Sequence, residues 1–106
     1  MDNNQKQVGK KVIIRADRAG VFFGTLSEKH HTPAGVEVVL TDSRRLWYWD
    51  GAASLSQLAV EGTKNPDRCK FTVTVPTHVV MQVIEIIPCT PEAVKSIESV
   101  RVWKNS

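Results

Sequence analysis

The stretch Arg44-Arg45-Leu46-Trp47-Tyr48-Trp49-Asp50-Gly51-Ala52-Ala53-Ser54-Leu55 holds the residue types with the most chemistry to offer. Two guanidiniums and three large aromatics fall within six residues, followed by Asp-Gly and a run of small side chains. Side chains alternate along a strand, so Arg45, Trp47 and Trp49 share one face and Arg44, Leu46 and Tyr48 the other. Flat indoles beside a planar, permanently charged fork are suited to stacking a base and pairing with a phosphate. Tryptophans on a small sheet serve equally well as ordinary core. Two adjacent guanidiniums cannot both enter an apolar core, so at least one meets water or an anion. Alternation alone allows either face to be the open one, which leaves both Arg44 and Arg45 as ligand candidates.

The residues after the aromatic run extend this binding chemistry. Gly51, Ala52 and Ala53 leave room for close approach at a helix start, where free backbone amides favour an anion; the same residues also fit a plain strand-to-helix turn. Ser54 and Gln57 are placed to read the polar edges of a ligand. Arg15, ending an early strand, and Arg18, in the turn after it, are further phosphate candidates if their hairpin folds beside the aromatic strand.

Catalytic chemistry has no comparable set. The chain lacks a G-x-S-x-G elbow, paired carboxylates at helical spacing, a His-x-x-x-His pair and a P-loop. Asp50, Ser54 and Ser56 have no base nearby in the sequence and read as caps and hydrogen-bond partners. Cys69 and Cys89 are too few and too far apart for a zinc site or a redox pair, and read as small buried apolar residues. His30, His31 and His78 read as solvated loop histidines. The expectation is binding without turnover, with no metal and no cofactor.

Composition bounds the rest. At 106 residues the chain is expected to be a single domain, 1–106, with 1–10 a flexible N-terminus. Self-association into a homo-oligomer would enlarge its buried surface. No stretch approaches the roughly 20 apolar residues of a membrane span, and Met1 to Lys11 carries no apolar run of a signal peptide, so a cytoplasmic protein is expected. The net charge of +3 sits entirely in residues 1–18, where five basic groups face two acidic ones. That excess is too weak for a protein coating nucleic acid, yet suits a small anionic ligand held by a few arginines.

The elements that must position these residues are mostly short strands. Val12 to Arg15 and Val21 to Leu26 form a hairpin around Asp17 to Gly20, with Gly24 marking a bend or bulge. Lys29 to Gly35 reads as a loop and Val36 to Leu40 as a strand. Thr41-Asp42-Ser43 is a tight connection, or a bulge, into the aromatic strand Arg44 to Trp49. Ala52 to Glu61 has helical composition, with Gly62 as its C-cap. A loop around Asn65-Pro66 precedes Cys69 to Val75, whose clean alternation marks a strand ended by Pro76. His78 to Ile87 is rich in β-branched residues and reads as strand. Thr90-Pro91 caps a helix to about Ser99, with Val94 and Ile97 facing inward and a short extended piece from Val100 to Trp103 after it. The expected fold is α+β: a small, partly rolled antiparallel sheet or barrel of about six strands, with one inserted helix and one C-terminal helix.

Three segments together carry a family resemblance: Ala-Gly-Val-Phe-Phe-Gly-Thr-Leu (Ala19 to Leu26), the Arg44 to Ala59 segment, and Val-Ile-Glu-Ile-Ile-Pro-Cys-Thr (Val83 to Thr90). From about residue 12 to 103 the chain resembles a family of small proteins encoded mainly in bacteriophage genomes and long labelled a domain of unknown function. It is similar to anti-CBASS sponges, which sequester cyclic dinucleotide immune signals. The resemblance implies an oligomer that binds 3′,3′-cyclic GMP-AMP or a related signal without cleaving it. It implies a site at Arg44, Arg45, Trp47, Trp49, Gly51, Ala52 and Leu55, with Gly20 and Phe22 from the hairpin.

Two other functions use the same residues. Stacking platforms also bind single-stranded RNA or DNA, although the weak charge excess argues against it. A row of exposed aromatics also makes a subunit interface in an interaction or structural module.

Overall fold

A computed structural model of the chain describes residues 7–105. Five strands and two helices follow in the order β1 (Lys11–Ala16), β2 (Gly20–Thr32), β3 (Gly35–Tyr48), α1 (Leu55–Glu61), β4 (Lys70–Phe71), β5 (Val75–Pro88) and α2 (Pro91–Ser99), with a 3-10 turn at Pro66–Arg68. The fold is α+β, as the composition and patterning predict, with five antiparallel strands rather than six. All five belong to one sheet, in the order β2-β1-β5-β3-β4. A further β2–β3 pairing brings the sheet back on itself, so that it is rolled and partly closed.

Rolling gives the sheet two faces with different duties. Val12, Ile14, Phe22, Leu26, Val38, Leu40 and Val80 fill the inside of the roll. Ile13, Phe23, Leu46 and Phe71 point the other way and are covered by Leu58 and Ala59 of α1 and Ile97 of α2. Alternation along β1 and β2 serves both cores at once, which is why neighbours such as Ile13 and Ile14, or Phe22 and Phe23, are all buried. The two helices lie side by side. A Cβ on Gly62, the C-cap of α1, would sit 2.4 Å from Ser96 Cβ of α2, so only glycine admits this approach.

Several predicted boundaries move. The polar stretch Lys29 to Gly35 is a strand hairpin instead of a loop. Thr32 pairs with Gly35 across a turn at Pro33-Ala34, and pairing continues through His31↔Val36 and His30↔Glu37. Its side chains are largely exposed and so read as loop, while the backbone ladder is intact. Val36 to Leu40 and Arg44 to Trp49 merge into one long strand, joined by the bulge that Thr41-Asp42-Ser43 suggested. Asp42 takes the left-handed φ of 52°, and Gly24 lies opposite. A Cβ there would come within 3.1 Å of Ser43 Cα and Thr41 O.

The alternating Cys69 to Val75 is regular strand only at Lys70–Phe71, and β5 begins at Val75, with Pro76 near its start instead of closing its predecessor. Proline is tolerated at a strand's beginning. The expected helix start at Ala52 shifts to Leu55, because Ser54 takes the N-cap. Of the expected flexible stretch 1–10, residues 1–6 lie outside the described residues; Gly9 N–H donates to Leu26 O at 2.7 Å. No helix among the described residues is long and apolar enough to cross a membrane.

Candidate functional site

The alternation in β3 separates the two arginines completely. Arg44 turns toward the core beneath the helices and is almost fully buried. Its guanidinium donates to four carbonyls: Thr72 O at 3.0 Å, Ile97 O at 3.0 Å, Phe71 O at 3.2 Å and Arg101 O at 3.4 Å. Burial pulls its pKa below the usual arginine value, a pull that Glu98 partly opposes. The expectation of Arg44 as a ligand contact is therefore corrected. Its donors are consumed in tying β3 to the β4 strand, α2 and the C-terminal segment.

Arg45 sits on the opposite, exposed side. It donates from Nη1 to Ala19 O at 2.8 Å and lies 4.6 Å from the centre of the Phe22 ring, its partner across β2 and β3. This contact brings together Arg45, Phe22 and the β1–β2 turn that holds Arg18 and Gly20, as the hairpin reading required. Gly20 supports that turn with φ 107°, a conformation glycine adopts freely. Phe22 itself has no accessible surface, so it seats Arg45 and is not a contact of its own. Arg15 falls outside the cluster. It lies on β1 with its guanidinium 4.0 Å from Glu85.

Trp47 emerges two residues beyond Arg45 and is 58% exposed. Its partner is not Trp49 but Trp103, stacked on it with centroids 5.1 Å apart and planes at 21°. Lys70 Nζ lies 5.1 Å from the Trp47 ring and 5.6 Å from the Trp103 ring. Trp49 comes after the end of β3 and packs, partly buried, against the core under the helices, so the predicted row of two indoles on one strand face does not form. Sequence reasoning missed Trp103 and Lys70. The available signal was weak: a third tryptophan in a basic tail, and a lysine within an alternating strand.

The small residues after the strand also depart from expectation. A Cβ on Gly51 would meet Asn65 N at 2.5 Å and Lys64 N at 2.6 Å, so the space belongs to the 63–65 loop and not to a ligand. Gly51 N–H donates to Asp50 Oδ1 at 2.8 Å, and Ala52 packs against the core beside Leu55. Ser54 Oγ accepts from Gln57 N–H at 3.1 Å while Gln57 Oε1 accepts from Ala53 N–H at 2.7 Å, a reciprocal cap. Ser54 and Gln57 thus hold the helix start and occupy the Ala53 and Gln57 amides.

A pocket of about 400 Å³ opens where the β1–β2 turn meets β5 and the β2–β3 hairpin tip. Arg18, Phe22, Ala34, His78, Met81 and Gln82 are among its lining residues. His78, far from being a loop residue, belongs to β5 and meets Phe22 edge-on at 4.8 Å. Burial and, secondarily, Arg45 lower its pKa, which favours the neutral ring.

Ser43 Oγ lies 3.3 Å from His78 Nδ1, but Ser43 has no accessible surface and the neighbouring charge is a cation, so the pair does not form a usable nucleophile and base. Burial pushes the Cys89 thiol up to about 12, and Cys69 is buried. Among the described residues no three His, Cys, Asp or Glu side chains gather in a way that could hold a metal ion.

No curated protein and no solved structure matches the chain. Residues 9–97, which span β1 to most of α2 and include every predicted site residue, match the model of a domain of unknown function (DUF6948), and the chain belongs to that family.

Proposed function

We propose that this protein binds an anionic nucleotide signal without cleaving it, as a phage-encoded anti-CBASS sponge that sequesters 3′,3′-cyclic GMP-AMP or a related cyclic nucleotide in the infected cell's cytoplasm. The observation that carries the reading is the exposure of both Arg45 and Trp47 two residues apart on β3, each braced by its own neighbours. Arg45 is held by Ala19 O and Phe22, and Trp47 by Trp103 and Lys70. Braced side chains lose less freedom on binding, which favours affinity for a ligand that offers a phosphate to the guanidinium and a ring to the indole. The test is to mix the protein with cyclic di- and trinucleotides, remove free ligand, denature and identify what is released. Intact cyclic nucleotide supports a sponge, linear product makes the protein a hydrolase, and no nucleotide at micromolar protein removes the reading. Light scattering on the same samples checks the accompanying homo-oligomer.

One observation favours a second reading, binding of single-stranded nucleic acid. Lys104 and Arg101 lie within two residues of Trp103, with Arg101 90% exposed at its side chain and 4.0 Å from Asp67, which adds cations near the stacked indoles beyond Lys70. Salt separates the two. Polynucleotide affinity falls steeply with ionic strength as counterions are released, whereas a small ligand neutralised by one or two arginines responds mildly.

A further inference from the structure

We propose that the pocket between the β1–β2 turn and β5 receives the heterocycle of a nucleotide, with Arg18 at its mouth for the phosphate and Gln82 reading the edge of the base. This rests on the nucleotide-binding reading above and adds a site that the Arg45–Trp47 face does not contain.

The first support is shape and composition. A volume of about 400 Å³ lies within the ~300–1,000 Å³ typical of small-ligand sites. Val36 and Val80 give an apolar wall, and Met81 offers a polarizable thioether that packs well against a ring. The polar groups are few and of the kind that read a heterocycle. Gln82 carries both a donor and an acceptor. His78 has its Nδ1 engaged by Ser43, while its Nε2 has no hydrogen-bond partner among the described residues. Arg18 is exposed and has no ion-pair partner among the described residues, and Arg45 stands behind Phe22 at the same corner.

The second support is backbone geometry. β5 carries one extra residue between Val80 and Val83, which pair with Val38 and Val36. At this bulge Gln82 adopts φ 56°, a left-handed conformation that is uncommon outside glycine, asparagine and aspartate. The Gln82 carbonyl accepts from Asp17 N–H at 2.9 Å, which ties the bulge to the turn bearing Arg18. Glycine would satisfy this backbone at lower cost, yet the position has a side chain with an amide. Bulges and left-handed non-glycine residues concentrate where a side chain must be re-aimed at a ligand.

Two variants test the assignment. Gln82→Gly removes the amide and relaxes the backbone; Ala34→Trp fills the pocket from an exposed position at the hairpin tip. Binding of GMP, AMP and 3′,3′-cyclic GMP-AMP is measured by calorimetry on parent and variants, with thermal unfolding alongside. The expected result is that Gln82→Gly unfolds at the same or a higher temperature yet shifts the GMP-to-AMP preference at least fivefold, and that Ala34→Trp weakens all binding at least tenfold. If the parent binds 3′,3′-cyclic GMP-AMP and neither variant changes it, the pocket assignment is overturned while the nucleotide-binding reading stands. Mononucleotide binding that responds to both variants, without cyclic nucleotide binding, supports the pocket and removes the sponge. Absence of any nucleotide binding overturns both.

Discussion

Arg45 and Phe22 face each other directly across β2 and β3, with the guanidinium 4.6 Å from the ring centre. The same ring is met edge-on by His78 at 4.8 Å, so one buried phenylalanine fixes both a surface cation and an imidazole. The arrangement converts a flexible arginine into a positioned one. It also separates the roles of the Arg-Arg pair: one guanidinium is structural and satisfied, the other is exposed and poised.

Arg45→Ala is expected to weaken nucleotide binding by about 1.5–3 kcal/mol, the usual contribution of a charge-assisted contact. Stability should fall by no more than about 1 kcal/mol, since the guanidinium is exposed and loses one carbonyl bond and one cation–π contact. Arg45→Lys should restore little, because an ammonium cannot lie flat on Phe22 while presenting a fork. Titration calorimetry combined with urea unfolding checks both halves; unchanged affinity in the alanine variant moves the site away from this strand.

Arg44→Ala has the opposite profile. It removes the side-chain donor shared by the carbonyls of Phe71, Thr72, Ile97 and Arg101, leaving Phe71 O and Ile97 O only the Trp103 and Val100 N–H groups, and empties the buried space that the side chain fills. The expected loss is about 3–5 kcal/mol, comparable to removal of one member of a buried polar network. A urea midpoint within experimental error of the parent would show that the four carbonyl contacts are dispensable.

These two arginines mark how far the sequence could be read. Strand alternation separated their faces, and local signals suggested the bulge at Thr41-Asp42-Ser43, capped α2 with Thr90 and put Gly62 at the end of α1, because each depends on neighbours in the chain; the bulge expected at Gly24 lies in the strand opposite it. What escaped depends on distant partners. Cys69 to Val75 alternates like a strand, yet regular strand is confined to Lys70–Phe71: Thr72 N–H still donates to Arg45 O at 3.1 Å, while Thr72 O turns to the Arg44 guanidinium. Lys29 to Gly35 looks like a loop because its side chains are solvated, while its backbone pairs on both sides of the Pro33-Ala34 turn. Trp47 was expected to share a face with Trp49, and its stacked neighbour lies in the C-terminal segment, at Trp103. Gly51 and Ser54 belong to a turn and a cap that the local sequence also allowed, and the 63–65 loop decides between those readings.

That loop makes Gly51 a sharp test of packing. Gly51 has φ 83°, and an added Cβ would come within 2.5 Å of Asn65 N and 2.6 Å of Lys64 N. Gly51→Ala should therefore cost more than the ~1 kcal/mol of a left-handed alanine alone, because backbone must also move. Thermal unfolding measures it. A neutral result would mean that the 63–65 segment yields freely.

His78 sets a pH dependence whose sign follows from its lowered pKa. The unfolded chain takes up a proton near the ordinary histidine value of about 6.5, and the folded protein only at lower pH. This contribution to stability is therefore fully present above pH 6.5 and is lost as pH falls from there through the folded value. Urea midpoints at pH 7.5 and 5.0 should differ more in the parent than in His78→Asn. Equal differences would assign the acid sensitivity to other groups.

Trp103→Ala tests whether the stacked indoles act as one unit. An aromatic pair contributes about 0.5–1.5 kcal/mol beyond its buried area, so a stability loss near 1 kcal/mol is expected. The more telling readout is spectroscopic. Trp47 loses a neighbour 5.1 Å away and Lys70 loses one of its two rings, so acrylamide should quench Trp47 more readily while the partly buried Trp49 is unaffected. If a nucleotide base stacks on this pair, ligand should quench emission in the parent and do so less in Trp103→Ala, with affinity reduced in the same direction as in Trp47→Ala. Identical quenching and affinity in parent and Trp103→Ala would leave Trp47 to act without its neighbour, and would reduce the binding face to Arg45 and the corner around Phe22.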